Sequence, residues 1–199
     1  MTLPVKESFF VRVISGMARG LKLASLEGLE TRPTLDRVKE ALFSMLFDKC
    51  TDAVVLDLFA GSGALGIEAL SRYAARCIFV DLNPKAVEVI RSNLKKTPFS
   101  DKAKAILSDS IEFLKKTEEK FDLVFLDPPY KAGLYDEALK IISERQLLNK
   151  GALIVAECDI THELNATGFE ILKDKTYGKV RLYVLKEPVT NEEDSSISR

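Results

Sequence analysis

Residues Phe121–Tyr130 read FDLVFLDPPY. Phe121, Leu123, Val124, Phe125 and Leu126 form an unbroken apolar run of one strand's length. A run that does not alternate predicts a strand covered on both faces, as in a parallel sheet. An acid, two prolines and an aromatic follow. Neither proline has an N–H to give a neighbouring strand, so the chain leaves the sheet there in a stiff loop. Such a loop sits at the carboxyl end of a strand, where open α/β sheets take their ligands. Asp127 and the Pro128 carbonyl are acceptors and Tyr130 is a flat face, a set that suits a planar group carrying an NH2. By itself the same tripeptide also fits a plain proline turn with Tyr130 packed on it.

Outward from that strand the chain alternates. Ala53–Phe59, Arg76–Asp81, Ala103–Leu107 and Ala152–Cys158 read as further strands. Ala64–Arg72, Pro84 to about Lys96, Ser110–Lys116 and Tyr135–Glu144 read as helices. Asn83 stands as an N-cap before Pro84, and Asp109 opens the helix that follows it. This rhythm predicts an α/β fold, a parallel sheet with helices on both faces. After Phe169 it changes: Phe169–Asp174 and Val180–Lys186, separated by a stretch containing Tyr177-Gly178, read as an antiparallel hairpin that brings the sheet to seven strands. Upstream, Phe9–Ile14 and Leu21–Ala24 flank Ser15–Gly20 as a small β-hairpin outside that sheet. Pro33 holds Arg32 extended, and Thr34 caps a helix from Leu35 to Phe47. On that helix Leu35, Val38, Ala41, Leu42, Met45 and Leu46 share one face. Three parts follow: an N-terminal arm (1–34), a main domain (35–187) and a disordered tail (188–199).

Composition narrows the class. With 199 residues, 46% hydrophobic and 30% charged, one globular domain can bury a sizeable core. No apolar run reaches bilayer length, and the first ten residues lack the order of a signal peptide. Cys50, Cys77 and Cys158 are odd in number and widely spaced, which reads as reduced, buried thiols in a cytoplasmic protein. One histidine, His162, leaves little scope for a His-rich metal site or a Ser-His-Asp triad, and it reads as a surface loop residue. The net charge of −1 is uninformative, but its distribution is not. Without the segment from Glu187 onward the chain carries 28 bases and 26 acids, and from Ser8 to Leu26 it has Arg12, Arg19 and Lys22 with no acid. That is a local basic patch. Arg32 and Arg37 extend it, and either could reach phosphate or simply sit solvated.

Val54–Gly66, VVLDLFAGSGALG, is the second informative stretch. A buried strand ends in Asp57, then Gly61-Ser62-Gly63 lets the backbone approach a ligand at a helix N-terminus. The spacing of Gly61, Gly63 and Gly66 is formally that of a dinucleotide site. Asp57 argues against one, since it would set a carboxylate beside a pyrophosphate, whereas it suits a cationic amine. Asp81 ends the next strand, placed to accept from ribose hydroxyls, and Asp109 ends the third. A ligand with an ammonium, a sulfonium, a ribose and an adenine fits this set, so S-adenosylmethionine is favoured over NAD.

DLFAGSGALG, Asp81 and DPPY together resemble the class I, Rossmann-like methyltransferases of exocyclic amines. RVISGMARGLKL, TRPTLDRVKEALFSML and DLFAGSGALGIEALSRYAA narrow the resemblance to the bacterial 16S rRNA (guanine-N2) methyltransferases of the small subunit, the guanine-966 type. It runs from about Val11 to Lys186, with Ser15 standing where a second glycine is common. The resemblance implies S-adenosylmethionine as cofactor, held by Asp57, Phe59, Ala60, Gly61, Ser62, Gly63, Asp81, Leu82, Asp109 and Ser110. It implies catalysis at Asp127, Pro128, Pro129 and Tyr130, and contact with 16S rRNA of an assembled or partly assembled small subunit through Arg12, Arg19, Lys22, Arg32 and Arg37. No metal, no membrane and a cytoplasmic monomer complete the expectation. Rivals are methylation of adenine N6 or of a protein amide, and a non-catalytic RNA-binding assembly factor.

Overall fold

Hydrogen bonding in the computed structural model, which describes residues 10–26, 33–129 and 133–188, builds two sheets. The smaller is an antiparallel pair, β1 (Phe10–Arg12) and β2 (Lys22–Ala24), with Val11 opposite Leu23. α1 (Pro33–Leu46) follows. Pro33, not Thr34, takes the first helical position, so Thr34 lies inside the first turn rather than capping it; a fixed φ and a missing N–H suit proline there.

The main sheet draws on β3 (Val54–Asp57), β4 (Arg76–Asp81), β5 (Ala103–Leu107), β6 (Phe121–Leu126), β7 (Leu148–Asp159), β8 (Glu170–Tyr177) and β9 (Val180–Lys186). Their order is β5-β4-β3-β6-β7-β9-β8. The first five run parallel, while β9 pairs antiparallel with β7 and β8 with β9. The seven-stranded, mostly parallel sheet and both hairpins match the sequence reading. The order reverses between β3 and β6, and such a switch point opens a crevice beyond the strand ends.

β7 starts at Leu148, four residues before the apolar run that announces it. Asn149 explains the extension: its amide donates to Asp122 at 2.9 Å, and Asp122 in turn accepts the Val54 N–H at 2.8 Å. A polar ladder across three strands thus prolongs pairing where hydropathy gives no sign.

Helices α2 (Ala64–Ser71), α3 (Pro84–Leu94), α4 (Ser110–Lys116) and α5 (Leu134–Glu144) cover both faces. One core layer joins α1, α2 and α3 to Val55, Phe79, Phe125 and Val155; the other joins α4 and α5 to Leu56, Val80, Val124 and Ile154. Alternate residues of each strand feed opposite layers, as a sheet buried on both sides requires. The three cysteines are free and buried within these layers. His162 departs from its expected surface position: its ring lies 4.8 Å from that of Tyr135, and its Nε2 is buried with no hydrogen-bond partner among the described residues. No helix among the described residues is long and apolar enough to cross a membrane.

The N-terminal hairpin lies outside the main sheet yet belongs to the same core. Val13 and Leu23 are fully buried beside α1 and α2. Glu68 of α2, with no exposure, accepts the N–H groups of Ile14 and Ser15 at 2.7 and 3.0 Å. It also pairs with Lys39 at 3.2 Å and Arg72 at 2.9 Å. Gly16 packs so tightly on the end of α2 that a Cβ would fall 1.8 Å from the Ser71 carbonyl oxygen.

Candidate active site

Three strand ends and the loops after them meet at the switch point. β3 delivers Asp57, 3% exposed, whose Oδ2 accepts the Gly66 N–H at 2.9 Å. Between them the chain turns through Ala60, whose N–H reaches Val80 of β4, then Gly61 and Gly63, both with positive φ (53° and 77°). Gly63 is the N-cap of α2 and brings no side-chain oxygen to the helix N-terminus, where Asp57 takes the Gly66 N–H and leaves the N–H groups of Ala64 and Leu65 for an incoming acceptor. Gly66 serves packing: a Cβ there would lie 2.3 Å from the Phe79 ring and 2.6 Å from Cys77 Sγ. The glycine spacing therefore combines a turn, a close approach and a tight helix–strand contact.

β4 delivers Asp81, which braces the same loop. Its Oδ2 accepts the Gly61 N–H and its Oδ1 the Asn83 N–H, each at 2.8 Å. Leu82 beside it is 66% exposed, an apolar surface at the mouth, and Phe59 is half-buried. Ser62 is buried, and its carbonyl accepts from Asn93 Nδ2 at 3.0 Å. Asn93, fully buried, also exchanges hydrogen bonds with both backbone groups of Ala24, so one amide joins β2 to the glycine loop. Asp109 caps α4, accepting the Glu112 N–H at 2.9 Å. The Ser110 hydroxyl is spent on the Leu58 carbonyl at 2.6 Å.

β6 delivers Asp127 with Pro128 buried and Pro129 exposed behind it. Tyr130 and Arg32 lie outside the described residues. Burial raises the Asp57 carboxyl to about 7, against the pull of the Gly66 N–H, and the charges of Asp127 and Asp81 add to the rise. Burial raises the Asp127 carboxyl to about 7 as well. Glu157, one residue beyond the Leu126–Ala156 pair, joins them from β7. Burial and then Asp127 push its carboxyl up too. No lysine or arginine pairs with Asp57, Asp127 or Glu157 among the described residues, and no three acids, histidines or cysteines there form a group fit to hold a metal. The crevice thus gathers three carboxyl groups without a basic partner among the described residues, beside the N-terminus of α2. A cationic ligand with hydroxyl groups and an aromatic system fits it, whereas a pyrophosphate would be repelled.

Glu157 was missed from sequence, although an acid inside the apolar strand Ala152–Cys158 was the available sign. The basic residues gather elsewhere. Arg12, Arg19 and Arg37 line a groove of about 410 Å³ between the hairpin and α1, with Asp36 and Glu40. Arg12 pairs with Asp36 at 3.2 Å, while Arg19 and Arg37 are exposed. Lys22, also exposed, lies across the hairpin from Arg12.

A family model described as conserved hypothetical protein 95 matches residues 11–186. The ribosomal RNA small subunit methyltransferase D of Haemophilus influenzae is 40% identical over 179 residues, 87% of this chain and 93% of that protein. The Escherichia coli protein of the same name is 34% identical, over 93% and 94% of the two chains. Among solved structures, Escherichia coli yhhF superposes with a TM-score of 0.80 at 33% identity, covering 92% of this chain and all of that one. The 16S rRNA N2 G1207 methyltransferase (RsmC) of T. thermophilus, in complex with AdoMet and guanosine, shares the fold at a TM-score of 0.68, covering 92% of this chain and 50% of that one, with 21% identity.

Proposed function

The chain belongs to the ribosomal RNA small subunit methyltransferase D family, and from that premise we propose that it methylates the exocyclic N2 amine of a guanine in 16S rRNA with S-adenosylmethionine. The observation that carries the reading is the unpaired Asp57–Asp127 edge beside an open glycine loop. S-adenosylmethionine supplies an electrophilic methyl on a sulfonium when bound. Asp57 and the α2 N-terminus hold its amino-acid end, Asp81 its ribose, and Leu82, Asp109 and Ser110 border its adenine; Asp81 and Asp109 each use carboxylate oxygens on backbone N–H groups.

An aryl amine is a poor nucleophile because its lone pair is delocalised into the ring. Asp127 and the Pro128 carbonyl accept its two N–H groups, which turns the lone pair toward the methyl, and Tyr130 stacks on the base. A base–aromatic stack contributes roughly 1–3 kcal/mol. As the N–C bond forms and the C–S bond breaks, the amine proton becomes acidic and passes to Asp127 or water. Alignment provides most of the acceleration. The base must leave its stack to enter the crevice, and Arg12, Arg19, Lys22 and Arg37, exposed on the hairpin and α1, are the groups for flanking phosphates, with Arg32 a further candidate from the sequence alone.

The test is to incubate the protein with methyl-labelled S-adenosylmethionine and unmodified small subunits, then identify the labelled nucleoside. N2-methylguanosine is the expected product, and label in adenosine or protein would overturn the base assignment. Asp127→Ala is expected to lower turnover by about 10²–10³-fold with cofactor affinity kept. Near-wild-type turnover in that variant contradicts the mechanism.

A further inference from the structure

Glu157 has no part in the site as built from the glycine loop and the proline loop, yet its position is tightly determined. β6 and β7 are parallel neighbours with Leu126 opposite Ala156. One residue further, Asp127, just past the end of β6, and Glu157, still within β7, fall on the same face, about 4.8 Å apart at the backbone. β9 holds Glu157 from the other side through the Glu157–Leu182 pair, and the Tyr135 hydroxyl of α5 donates to the Glu157 carbonyl. The backbone is therefore fixed from three directions. The half-buried carboxylate, by contrast, has no hydrogen-bond or ion-pair partner among the described residues. An unpartnered carboxylate withdrawn from water is costly unless a ligand brings it a donor.

Resting on the guanine-N2 reading above, we propose that Glu157 is the residue that selects guanine, accepting the base's N1–H while Asp127 takes the adjacent N2 amine. Guanine presents two neighbouring donors on that edge, N1–H and N2–H2, and two carboxylates side by side are their complement. Adenine presents a lone pair at N1, which would meet the Glu157 carboxylate as acceptor against acceptor. Selection thus has an attractive and a repulsive half, and sites that pair a substrate N–H discriminate strongly against analogues lacking it. A carboxylate accepts from two directions without donating, so the ionised form is the one selected by N1–H. A structural glutamate in this place would have a donor of its own, as Glu68 does.

The test uses the full chain and small subunits reconstituted with RNA carrying either guanosine or 2,6-diaminopurine riboside at the methylated position. Both bases have the same amine at C2, but diaminopurine has a lone pair at N1. Wild-type protein is expected to prefer guanine in kcat/KM, and Glu157→Gln to lose about tenfold or more on guanine while gaining on diaminopurine, because a glutamine NH2 can donate to N1. S-adenosylmethionine affinity should match wild type, which also reports that the variant is folded. An unchanged preference in Glu157→Gln overturns the inference, as does a loss that appears in cofactor affinity. Wild-type protein that methylates adenine or protein instead of guanine overturns the N2 reading and this inference together, whereas a failure confined to the variant leaves that reading standing.

Discussion

A carboxyl that is 3% exposed and has one backbone N–H for company keeps its proton far above the ordinary aspartate range, and burial lifts Asp57 to about 7, with Asp127 and Asp81 adding to the rise. The pH dependence follows with opposite signs for the two states. In the ligand-free protein the folded value exceeds the ordinary 3.8, so the stability contribution is complete below about 3.8 and is lost as pH rises through 7. A cofactor cation needs the ionised form, so its affinity should be flat above pH 7 and fall by up to about tenfold per unit below it. Calorimetric titration between pH 5.5 and 8 measures this, and Asp57→Asn should bind weakly with the slope abolished. An affinity independent of pH across that range would remove Asp57 from the cation site. Asp57 and Asp81 were legible in the sequence because each ends an apolar strand. Glu157 and Asn93 were not, because what gives them meaning is a neighbour about 30 to 70 residues away in the chain.

The hairpin and α1 meet to form the basic groove, and the partners of its three arginines differ. Arg12 is neutralised by Asp36 at 3.2 Å, whereas Arg19 and Arg37 have no ion pair among the described residues. On the proposed role each of the latter releases a counterion when it meets RNA phosphate. Replacing Arg19 or Arg37 by alanine should each shallow the log–log salt dependence of binding by about 0.7, and replacing Arg12 should do less. Filter binding to small-subunit RNA across a salt series reads this directly, and an unaltered slope in both variants would retire the groove as an RNA surface. At the scale of elements the sequence was a good guide wherever hydropathy carried the signal: β4, β5, α4, β6 and β9 occupy the expected residues. It fell short where polar pairing extends an element, as with Asn149 and Asp122 in β7. The same holds for β8, whose mostly exposed residues pair along β9 as far as Tyr177 and leave only Gly178 and Lys179 for the turn.

In the whole molecule the N-terminal segment is part of the main core, a relation hidden from the sequence because its contacts are made by backbone groups. Glu68 and Asn93 receive the hairpin through N–H and carbonyl groups, which no side-chain pattern announces. The hairpin also supplies Val13 and Leu23 to the core, and the Arg12 carbonyl accepts from buried Lys39. Removing residues 1–26 would strip the buried side chains of Val13 and Leu23 and leave Glu68 and Lys39 with unmet bonds. Each fully buried apolar side chain contributes about 1.5–3 kcal/mol and each buried polar group left without its partner costs about 1–3 kcal/mol, against a total stability of about 5–15 kcal/mol for a typical domain. The truncated chain should therefore unfold at markedly lower denaturant. It should also bind S-adenosylmethionine poorly, since Asn93 then holds the Ser62 carbonyl without its anchor on Ala24. An arm that served RNA alone would give a different result, with RNA affinity lost and both denaturation midpoint and cofactor affinity intact. Glu68→Gln in the full chain separates the charge from the segment: it keeps the hairpin's apolar contacts but weakens the Lys39 and Arg72 pairs, and its midpoint should fall between those of the full and truncated chains. A truncated protein as stable as the full chain would show that the hairpin rests on the fold without supporting it.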